Sequence, residues 1–339
     1  MKNAEVFPVL GFDIGGTKIA VCLADSTGKI LAKERMEGGS TQSYEAVLPR
    51  MVEISRSLVK QAGLQMKDVH ACGISAPGPI DLAKGIVVES PNMPWRNATI
   101  RDDLARELGI TAYFDNDANA GMLAEWFFGA ARGTRNALYL TMSTGIGGGV
   151  LTEGLLLHGA NGNAGEVGHV ILDVHGPVCG CGMRGCFEAY CGGLNMTKRM
   201  QALLRDRPDH PIMRLPEVKG NLKALGYPAL IPAVRADIPL ALELWDEVCL
   251  RTAQGIGLML MAYNPEVVVL GTIALHAGDL LLEPVRRHLP RFAWRDVRAP
   301  AKISVSALGA SIGELAGPAT ALYNLHAEGK WHPEWLAKG

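Results

Sequence analysis

Two similar segments, each an apolar strand followed by a glycine-rich turn and a second apolar strand, occur in the two halves of the chain. In the first, residues 9–13 lead into Gly15-Gly16-Thr17-Lys18 and then into residues 19–24. In the second, residues 137–142 lead into a glycine hairpin at residues 143–149. Glycines between short apolar runs are typical of tight turns between strands. The repeat predicts two domains of related design that face each other across a cleft.

The chain length also favours two domains, because 339 residues exceed what one hydrophobic core usually serves. We expect a small domain of residues 1–118, completed by a C-terminal helix at about residues 308–339. Residues 119–307 are expected to form a large domain.

Apolar periodicity predicts a mixed α/β chain. Further strands are expected at residues 30–35, 69–74, 112–114, 267–270 and 303–307, and from Val150 onward. Helices are expected at residues 48–63, 118–128, 241–263 and 312–322. Pro318 should kink or interrupt the last helix. Rigid proline loops at residues 76–79 and 90–94 flank the segment 86–89, and residues 203–237 are proline-broken and receive no assignment.

The two glycine turns leave backbone N–H groups uncovered, so phosphate oxygens can approach and be held by those donors. The residues concerned are Gly15, Gly16, Thr17, Lys18, Thr144, Gly145 and Gly147. Neither turn has the Walker spacing, and neither is a dinucleotide fingerprint, because a strand rather than a helix follows each. A tight turn without a ligand explains either one alone. Their joint presence, each after a core strand, favours phosphate binding.

One histidine and three cysteines form a candidate metal site: His169, Cys179, Cys181 and Cys186. Zinc prefers four such ligands in a tetrahedron, which leaves no open position for water. The alternative is that the cysteines are small buried apolar side chains, but three within eight residues, separated by glycines, is a poor pattern for a core. We therefore expect a structural zinc ion, with the second ring nitrogen of His169 as an oriented hydrogen-bond donor.

Two glutamates bracket this candidate zinc loop. Glu166 and Glu188 could accept hydrogen bonds from the hydroxyls of a polyol. A solvated surface charge is the simpler interpretation of either residue alone. The presence of both around one loop favours polyol binding.

Two aspartates stand at strand ends, where loops place side chains in clefts. Asp13 could hold a magnesium ion through water, because magnesium keeps much of its hydration shell; otherwise it caps the turn. Asp117 could take the proton of an alcohol that attacks a phosphoryl group. The alternative for Asp117 is a helix N-cap before Ala118.

The charge balance and the composition limit the kinds of binding partner that we expect. The 33 basic and 34 acidic residues nearly cancel, which gives no electrostatic reason to expect nucleic acid or an anionic membrane. Residues 1–8 lack a signal-peptide pattern, and no uninterrupted apolar stretch is long enough to span a membrane. We expect a cytoplasmic protein that binds a small molecule. In a reducing compartment the remaining cysteines would be free thiols; they are Cys22, Cys72, Cys191 and Cys249.

Five motifs stand in order over nearly the whole chain. They are Gly11-Phe12-Asp13-Ile14-Gly15-Gly16-Thr17-Lys18, Asp115-Asn116-Asp117-Ala118-Asn119, Ser143-Thr144-Gly145-Ile146-Gly147-Gly148-Gly149, Glu166-Val167-Gly168-His169 and Cys179-Gly180-Cys181-Gly182-Met183-Arg184-Gly185-Cys186-Phe187-Glu188. Together these motifs resemble the signatures of the ROK family (repressor, open reading frame, kinase), especially its bacterial glucokinases.

The resemblance implies an actin-like, ribonuclease-H-type α/β fold of two domains that close on sugar and ATP, and a homodimer or homotetramer. By that similarity Asp117 would be the base, and Gly78 would touch the sugar through its backbone. The implied hydroxyl-binding residues are Asn116, Glu166, His169 and Glu188. The two glycine turns would cradle the phosphates.

The chain departs from the family pattern in three places. The family usually shows a run of glycines near the adenosine, whereas here Gly271 is followed by Thr272-Ile273-Ala274. The stretch of residues 205–226 is longer than the corresponding stretch usual in the family. The repressor members carry a helix-turn-helix domain before the first phosphate motif, and residues 1–9 are too few to encode one.

The sequence thus predicts an ATP-dependent, magnesium-requiring sugar kinase that phosphorylates a hexose, with glucose the first choice. A kinase of the same family acting on N-acetylglucosamine, N-acetylmannosamine, fructose or allose is the alternative. A sugar-binding regulator without catalysis is a second alternative, which Asp13, Asp117 and both turns argue against. A zinc hydrolase is disfavoured because four protein ligands leave the metal no site for water.

Overall fold

The computed structural model describes residues 6–38, 42–90 and 93–336. The sequence predicts no leader at residues 1–8, and most of these positions lie outside the described residues. Part of the proline loop expected at residues 90–94 also lies outside them. Among the residues described, no helix combines the length and apolar character that a membrane crossing needs.

The chain divides into two compact units. The first comprises the described parts of Met1–Thr134, Leu156–Ala164 and Ala307–Gly339, and the second comprises Arg135–Leu155 and Gly165–Ser306. These limits differ from the sequence-based boundary at residue 118, since the helix that begins at Asp117 belongs wholly to the first unit.

The strands are short and mostly buried. In chain order they are β1 (Pro8–Ile14), β2 (Lys18–Asp25), β3 (Ile30–Glu37), β4 (Cys72–Ala76), β5 (Ile80–Asp81), β6 (Ile86–Ser90), β7 (Met93–Ala98), β8 (Ala112–Asn116), β9 (Ala137–Met142), β10 (Ile146–Thr152), β11 (Leu155–Leu156), β12 (Val267–Leu270) and β13 (Lys302–Val305).

The α-helices follow or separate these strands. They are α1 (Tyr44–Gln61), α2 (Ile100–Leu108), α3 (Asp117–Phe128), α4 (Phe187–Cys191), α5 (Gly193–Leu204), α6 (Tyr227–Arg235), α7 (Pro239–Tyr263), α8 (Ile273–Ala277), α9 (Asp279–His288), α10 (Arg295–Arg298) and α11 (Ile312–Ala327).

The main sheet of the first unit has the strand order β3-β2-β1-β4-β8. The first three strands form an antiparallel meander, and β4 and β8 join β1 in parallel. Parallel strands carry their carboxyl ends to one edge of a sheet, where α/β folds place ligands. The carboxyl ends of β1, β4 and β8 therefore bring Asp13, Ser75 and Asn116 to the same edge. A small sheet of order β5-β6-β7 completes the unit.

Helix α11 packs on the main sheet of the first unit at two glycines. A Cβ atom at Gly11 would overlap the ring of Pro318, and one at Gly73 would overlap the carbonyl of Gly317. The absence of side chains at these two positions lets helix and sheet backbones touch. In the first turn of α11, a Cβ atom at Gly313 would lie 2.8 Å from Asp13 Oδ2, so this turn lies close to the end of β1.

The sheet of the second unit repeats this arrangement, with the order β11-β10-β9-β12-β13. Strands β9 and β10 are antiparallel, and β12 and β13 run parallel to β9. Each unit therefore places a hairpin first, with two parallel strands added beside its opening strand. The expectation of two related designs holds at the level of strand order.

Several sequence-based expectations need correction. Pro318 does not interrupt α11, which continues to Ala327; the residue instead packs against β1 at Gly11, which has no side chain. The second hairpin strand begins at Ile146 rather than Val150, because its glycines pair with β9. Part of the expected loop at residues 90–94 is strand β7, and α6 lies in the unassigned stretch 203–237.

Candidate active-site residues of the two units

The first unit presents its polar residues where β8 passes directly into α3. The side chain of Asn116 caps the helix, since its Oδ1 accepts a hydrogen bond of 2.7 Å from the N–H of Asn119. Asp117 is the first helical residue and is exposed. The capping role that the sequence allowed for Asp117 is therefore taken by its neighbour.

Asp13 lies near the end of β1, is partly buried and pairs with Ser75 on β4. The Ser75 hydroxyl donates to Asp13 Oδ1 at 3.0 Å. Burial raises the pKa of the Asp13 carboxyl to about 7, and the negative charges of Asp117 and Glu314 add to this rise, while the Ser75 hydrogen bond opposes it. A cation at this position would offset the cost of burying the charge. The positive charge of Arg35 already opposes the rise in pKa, and a bound cation would favour the ionised form of Asp13 further.

The first glycine turn joins β1 to β2. A side chain at Gly15 would press on the Lys18 carbonyl at 2.7 Å, so this position requires glycine. The side chains of Thr17 and Lys18 are exposed, and the Thr17 carbonyl accepts a hydrogen bond of 2.8 Å from Gly38. Gly78 is also exposed, in the loop after β4. The turn is therefore fixed in shape while its outer surface stays open.

The second glycine turn joins β9 to β10 in the second unit. The N–H of Ser143 donates to the Gly145 carbonyl at 2.9 Å and closes the turn. Glu188, at the start of α4, accepts the N–H of Ile146 through Oε2 at 2.9 Å. The carbonyls of Ser143 and Thr144 accept from the first residues of α5. This turn is thus held from two sides by the elements that follow the cysteine segment.

The cysteine segment brings its four candidate ligands together. The ligand atoms of His169, Cys179, Cys181 and Cys186 all lie within 4.8 Å of one another. His169 Nδ1 lies 3.7 Å from Cys179 Sγ, and the Sγ atoms of Cys181 and Cys186 are 3.7 Å apart. Tetrahedral zinc requires about 3.6 Å for a nitrogen–sulfur edge and about 3.8 Å for a sulfur–sulfur edge. The geometry fits zinc.

The two glutamates predicted to hydrogen-bond sugar hydroxyls differ in burial and in contacts. Glu188 is half-buried, with Oε1 3.7 Å from Cys179 Sγ and Oε2 on Ile146. Glu166 is exposed and precedes a 3-10 turn, Val167–His169, in which its carbonyl accepts from the N–H of His169. Glu188 thus has a structural task that its position in the sequence did not reveal.

A cavity of about 780 Å³ opens beside the second glycine turn. Ser143 and Thr144 form one wall, α5 and α6 contribute mainly apolar side chains, and Thr272 and His276 form another wall. Apolar walls with a few polar groups suit a planar base with a phosphate tail. Sequence reasoning missed Tyr227 and Ile231, which line this cavity, because they lie in the proline-broken stretch.

The strand order of the two units and the position of their glycine turns define the fold class of the protein. Two units with the same strand order, each with a glycine turn after its first strand, are those of the actin-like kinase fold. The family model described as "ROK family" matches residues 9–322. The chain belongs to the ROK family.

Three similar proteins agree with this assignment. The glucokinase of Thermotoga maritima is 34% identical over 82% of this chain and 86% of its own. The ROK hexokinase of Thermus thermophilus superposes with a TM-score of 0.81 at 31% identity, over 95% of this chain and all of the other. A ROK family glucokinase from Streptomyces griseus, solved with glucose and AMPPNP, has a TM-score of 0.73 at 28% identity, over 91% and 97% of the two chains.

Proposed function

We propose that the chain is an ATP-dependent hexose kinase that transfers the γ-phosphoryl group to a hydroxyl of glucose. The observation that carries the proposal is the exposed Asp117 carboxylate at the first position of α3, with the capping task taken by Asn116. The similarity to two named glucokinases and a ROK hexokinase supports it.

In the proposed reaction the sugar hydroxyl gives its proton to Asp117 while its oxygen forms a bond to the γ-phosphorus. The bond between that phosphorus and the oxygen bridging to the β-phosphate breaks, and ADP leaves. A sugar hydroxyl is a weak acid, so a carboxylate placed to accept its proton accelerates the attack.

We propose that ATP occupies the 780 Å³ cavity of the second unit, with its phosphates toward the glycine turn at Ser143–Gly145. Gly271 follows β12 directly, and the next residue, Thr272, lines that cavity. The residues Gly15 to Lys18 would also hold phosphate. Magnesium, when bound with ATP, neutralises charge on the phosphate oxygens, and the partly buried Asp13 would hold it through water.

We propose that zinc occupies the His169, Cys179, Cys181 and Cys186 set and acts structurally. Four protein ligands fill a tetrahedron, so no position is left for a reacting water. The bound ion would fix the segment that carries Glu188. Asn116, Glu166, His169 and Glu188 are proposed to hydrogen-bond the sugar hydroxyls, and Gly78 to contact the sugar through its backbone. By family resemblance the enzyme is proposed to be a homodimer or homotetramer.

The decisive experiment measures ADP release with ATP, magnesium and a panel of sugars. The panel contains glucose, mannose, fructose, allose, N-acetylglucosamine and N-acetylmannosamine, with a reaction without sugar as the blank. We expect the largest kcat/KM with glucose and a product with one added phosphoryl group by mass spectrometry. A larger kcat/KM for another sugar would reassign the acceptor. Calorimetric binding of glucose without ADP release would identify a regulator instead.

A further inference from the structure

A histidine that the proposed reaction does not use touches the strand that ends at the proposed base. His158 Nε2 lies 2.7 Å from Asp115 Oδ2, both within the first unit. Because an ionised carboxylate only accepts hydrogen bonds, Nε2 is the donor. Asp115 is buried, with 4% of its side chain exposed. Each oxygen of such a carboxylate needs a partner, and His158 serves Oδ2.

The other oxygen of Asp115 organises the start of α3. Asp115 Oδ1 accepts from the backbone N–H of Asn116 and from Asn119 Nδ2, both at 2.8 Å. Asn119 in turn gives its backbone N–H to the capping oxygen of Asn116. One buried carboxylate therefore fixes the residues on both sides of Asp117.

His158 reaches Asp115 from a short segment, Leu156–Ala164, that is itself tied to the first unit. The N–H of Leu156 donates to the Tyr323 hydroxyl at 2.9 Å. The N–H of Ala164 donates to the His158 carbonyl at 3.1 Å and closes the segment into a loop. The segment is thus tied to the first unit by a backbone hydrogen bond that is separate from the His158–Asp115 contact.

We propose that His158 is a positioning residue for the proposed base: by holding Asp115, it keeps Asp117 in the orientation needed to accept the hydroxyl proton. This inference rests on the proposed kinase function. It assigns His158 no contact with the sugar or the nucleotide.

The charges around His158 make Asp115 its principal electrostatic partner. The imidazole lines a cavity of about 940 Å³ together with Asp81, Arg101 and Tyr113. Each of these three has a partner of its own. The pairs are Asp81 with Lys84 at 2.9 Å, Arg101 with Asp102 at 2.8 Å and Tyr113 with Glu328 at 2.7 Å.

The hydrogen bond to Asp115 raises the pKa of His158, and burial opposes the rise. A raised folded-state pKa means that the ion pair stabilises the protein fully below the ordinary histidine pKa of about 6.5. The stabilisation is lost as pH increases through the folded-state value. His158→Gln keeps a neutral donor and lacks this titration.

The test compares three variants with the wild type. His158→Leu removes the donor and leaves Asp115 Oδ2 without it, and His158→Gln replaces the donor. Tyr323→Phe removes the hydrogen bond from Leu156 and leaves both members of the His158–Asp115 pair in place. We expect His158→Leu to lower kcat by roughly 10- to 100-fold, as small misplacements of catalytic groups do, with the KM for ATP unchanged. His158→Gln should recover most of kcat, and Tyr323→Phe should keep it.

Two further measurements separate positioning from general stability. In an Asp117→Asn background, adding His158→Leu should lower kcat no further, because the base to be positioned is absent. The difference in melting temperature between wild type and His158→Gln should decrease as pH increases above about 6.5.

The outcomes are distinguishable. An active wild type with His158→Leu equal to His158→Gln, an equal loss in Tyr323→Phe, or an additive loss in the Asp117→Asn background overturns the inference and leaves the kinase function intact. A folded wild type that phosphorylates no sugar overturns both.

Discussion

Glu188 accepts a hydrogen bond of 2.9 Å from the backbone N–H of Ile146, which joins the helix after the cysteine segment to the glycine turn of the second unit. The other oxygen of the same carboxylate lies 3.7 Å from Cys179 Sγ. One side chain therefore touches the candidate metal site and the candidate phosphate turn. A change at the candidate metal site should therefore alter the glycine turn, and a change at the turn should alter the metal site.

Removal of the proposed zinc ion should therefore weaken the binding of both substrates. Cys181→Ala, or chelation of the wild type, should raise the KM of glucose and of ATP by about tenfold or more, because loss of a structural zinc unfolds the segment it holds. Metal analysis and steady-state kinetics on the same samples test this. Cys72→Ala, a buried thiol of the first unit, is the control and should retain the metal. Fully active protein without zinc would contradict the prediction.

Glucose should be distinguished sharply from analogues that lack or invert a hydroxyl. A site built to hydrogen-bond a hydroxyl rejects the analogue lacking it by up to roughly 10⁴-fold, because buried partners are left unpaired. We expect kcat/KM for 2-deoxyglucose and mannose to fall well below that for glucose. Comparable values for the three sugars would rule out hydroxyl reading by the proposed set of Asn116, Glu166, His169 and Glu188.

Asp117→Asn should abolish most turnover while sparing the fold. The change keeps the size of the side chain and removes the proton acceptor, which typically costs on the order of 10²–10⁴ in rate. Thermal stability should change little, since Asn116 rather than Asp117 caps α3. Asp209→Asn, at an aspartate whose side chain is 92% exposed, is the control for loss of a carboxylate. Near-normal kcat in a folded Asp117→Asn protein would remove Asp117 from the mechanism.

Thr272→Gly should stabilise the protein. Thr272 has φ 49° and ψ −97°, a conformation that β-branched residues rarely adopt, and its side chain is exposed. Relief of about 1–3 kcal/mol of backbone strain should outweigh the roughly 1 kcal/mol entropic cost of glycine. Urea denaturation should show a net gain of about 1 kcal/mol. Asn264→Gly is the comparison, because asparagine already tolerates its left-handed backbone and the gain should be smaller. A destabilised Thr272→Gly would show that the threonine side chain is needed in place.

The elements of the two hairpins, α3 and α7 could be predicted because their apolar patterns are strong and their ends carry glycine or polar residues. Strand β7 and helix α6 could not, since Pro94, Pro228 and Pro232 read as breaks. In α6, Pro228 lies in the first turn, where a missing N–H costs nothing. Proline does not interrupt a helix at a position where the missing N–H would have no hydrogen-bond partner within the helix.

The candidate site was predicted through motifs and missed where it depends on distant pairs. Asp13, Asp117 and the cysteine segment stand in recognisable local patterns. Ser75 is 62 residues from Asp13, and His158 is 43 residues from Asp115. No local pattern marks such partners, because the pairing is created by sheet order and loop closure.

The division of the first unit among three chain segments has a consequence for how the protein is made. Helix α11, which covers the main sheet at Gly11 and Gly73, follows the whole second unit in the chain and leaves the ribosome after it. Until then β1 and β4 lack their covering helix and expose apolar surface, a state prone to aggregation. The second unit needs no residue beyond Ser306. Nascent chains stalled before residue 312 should therefore protect the second unit from proteolysis earlier than the first.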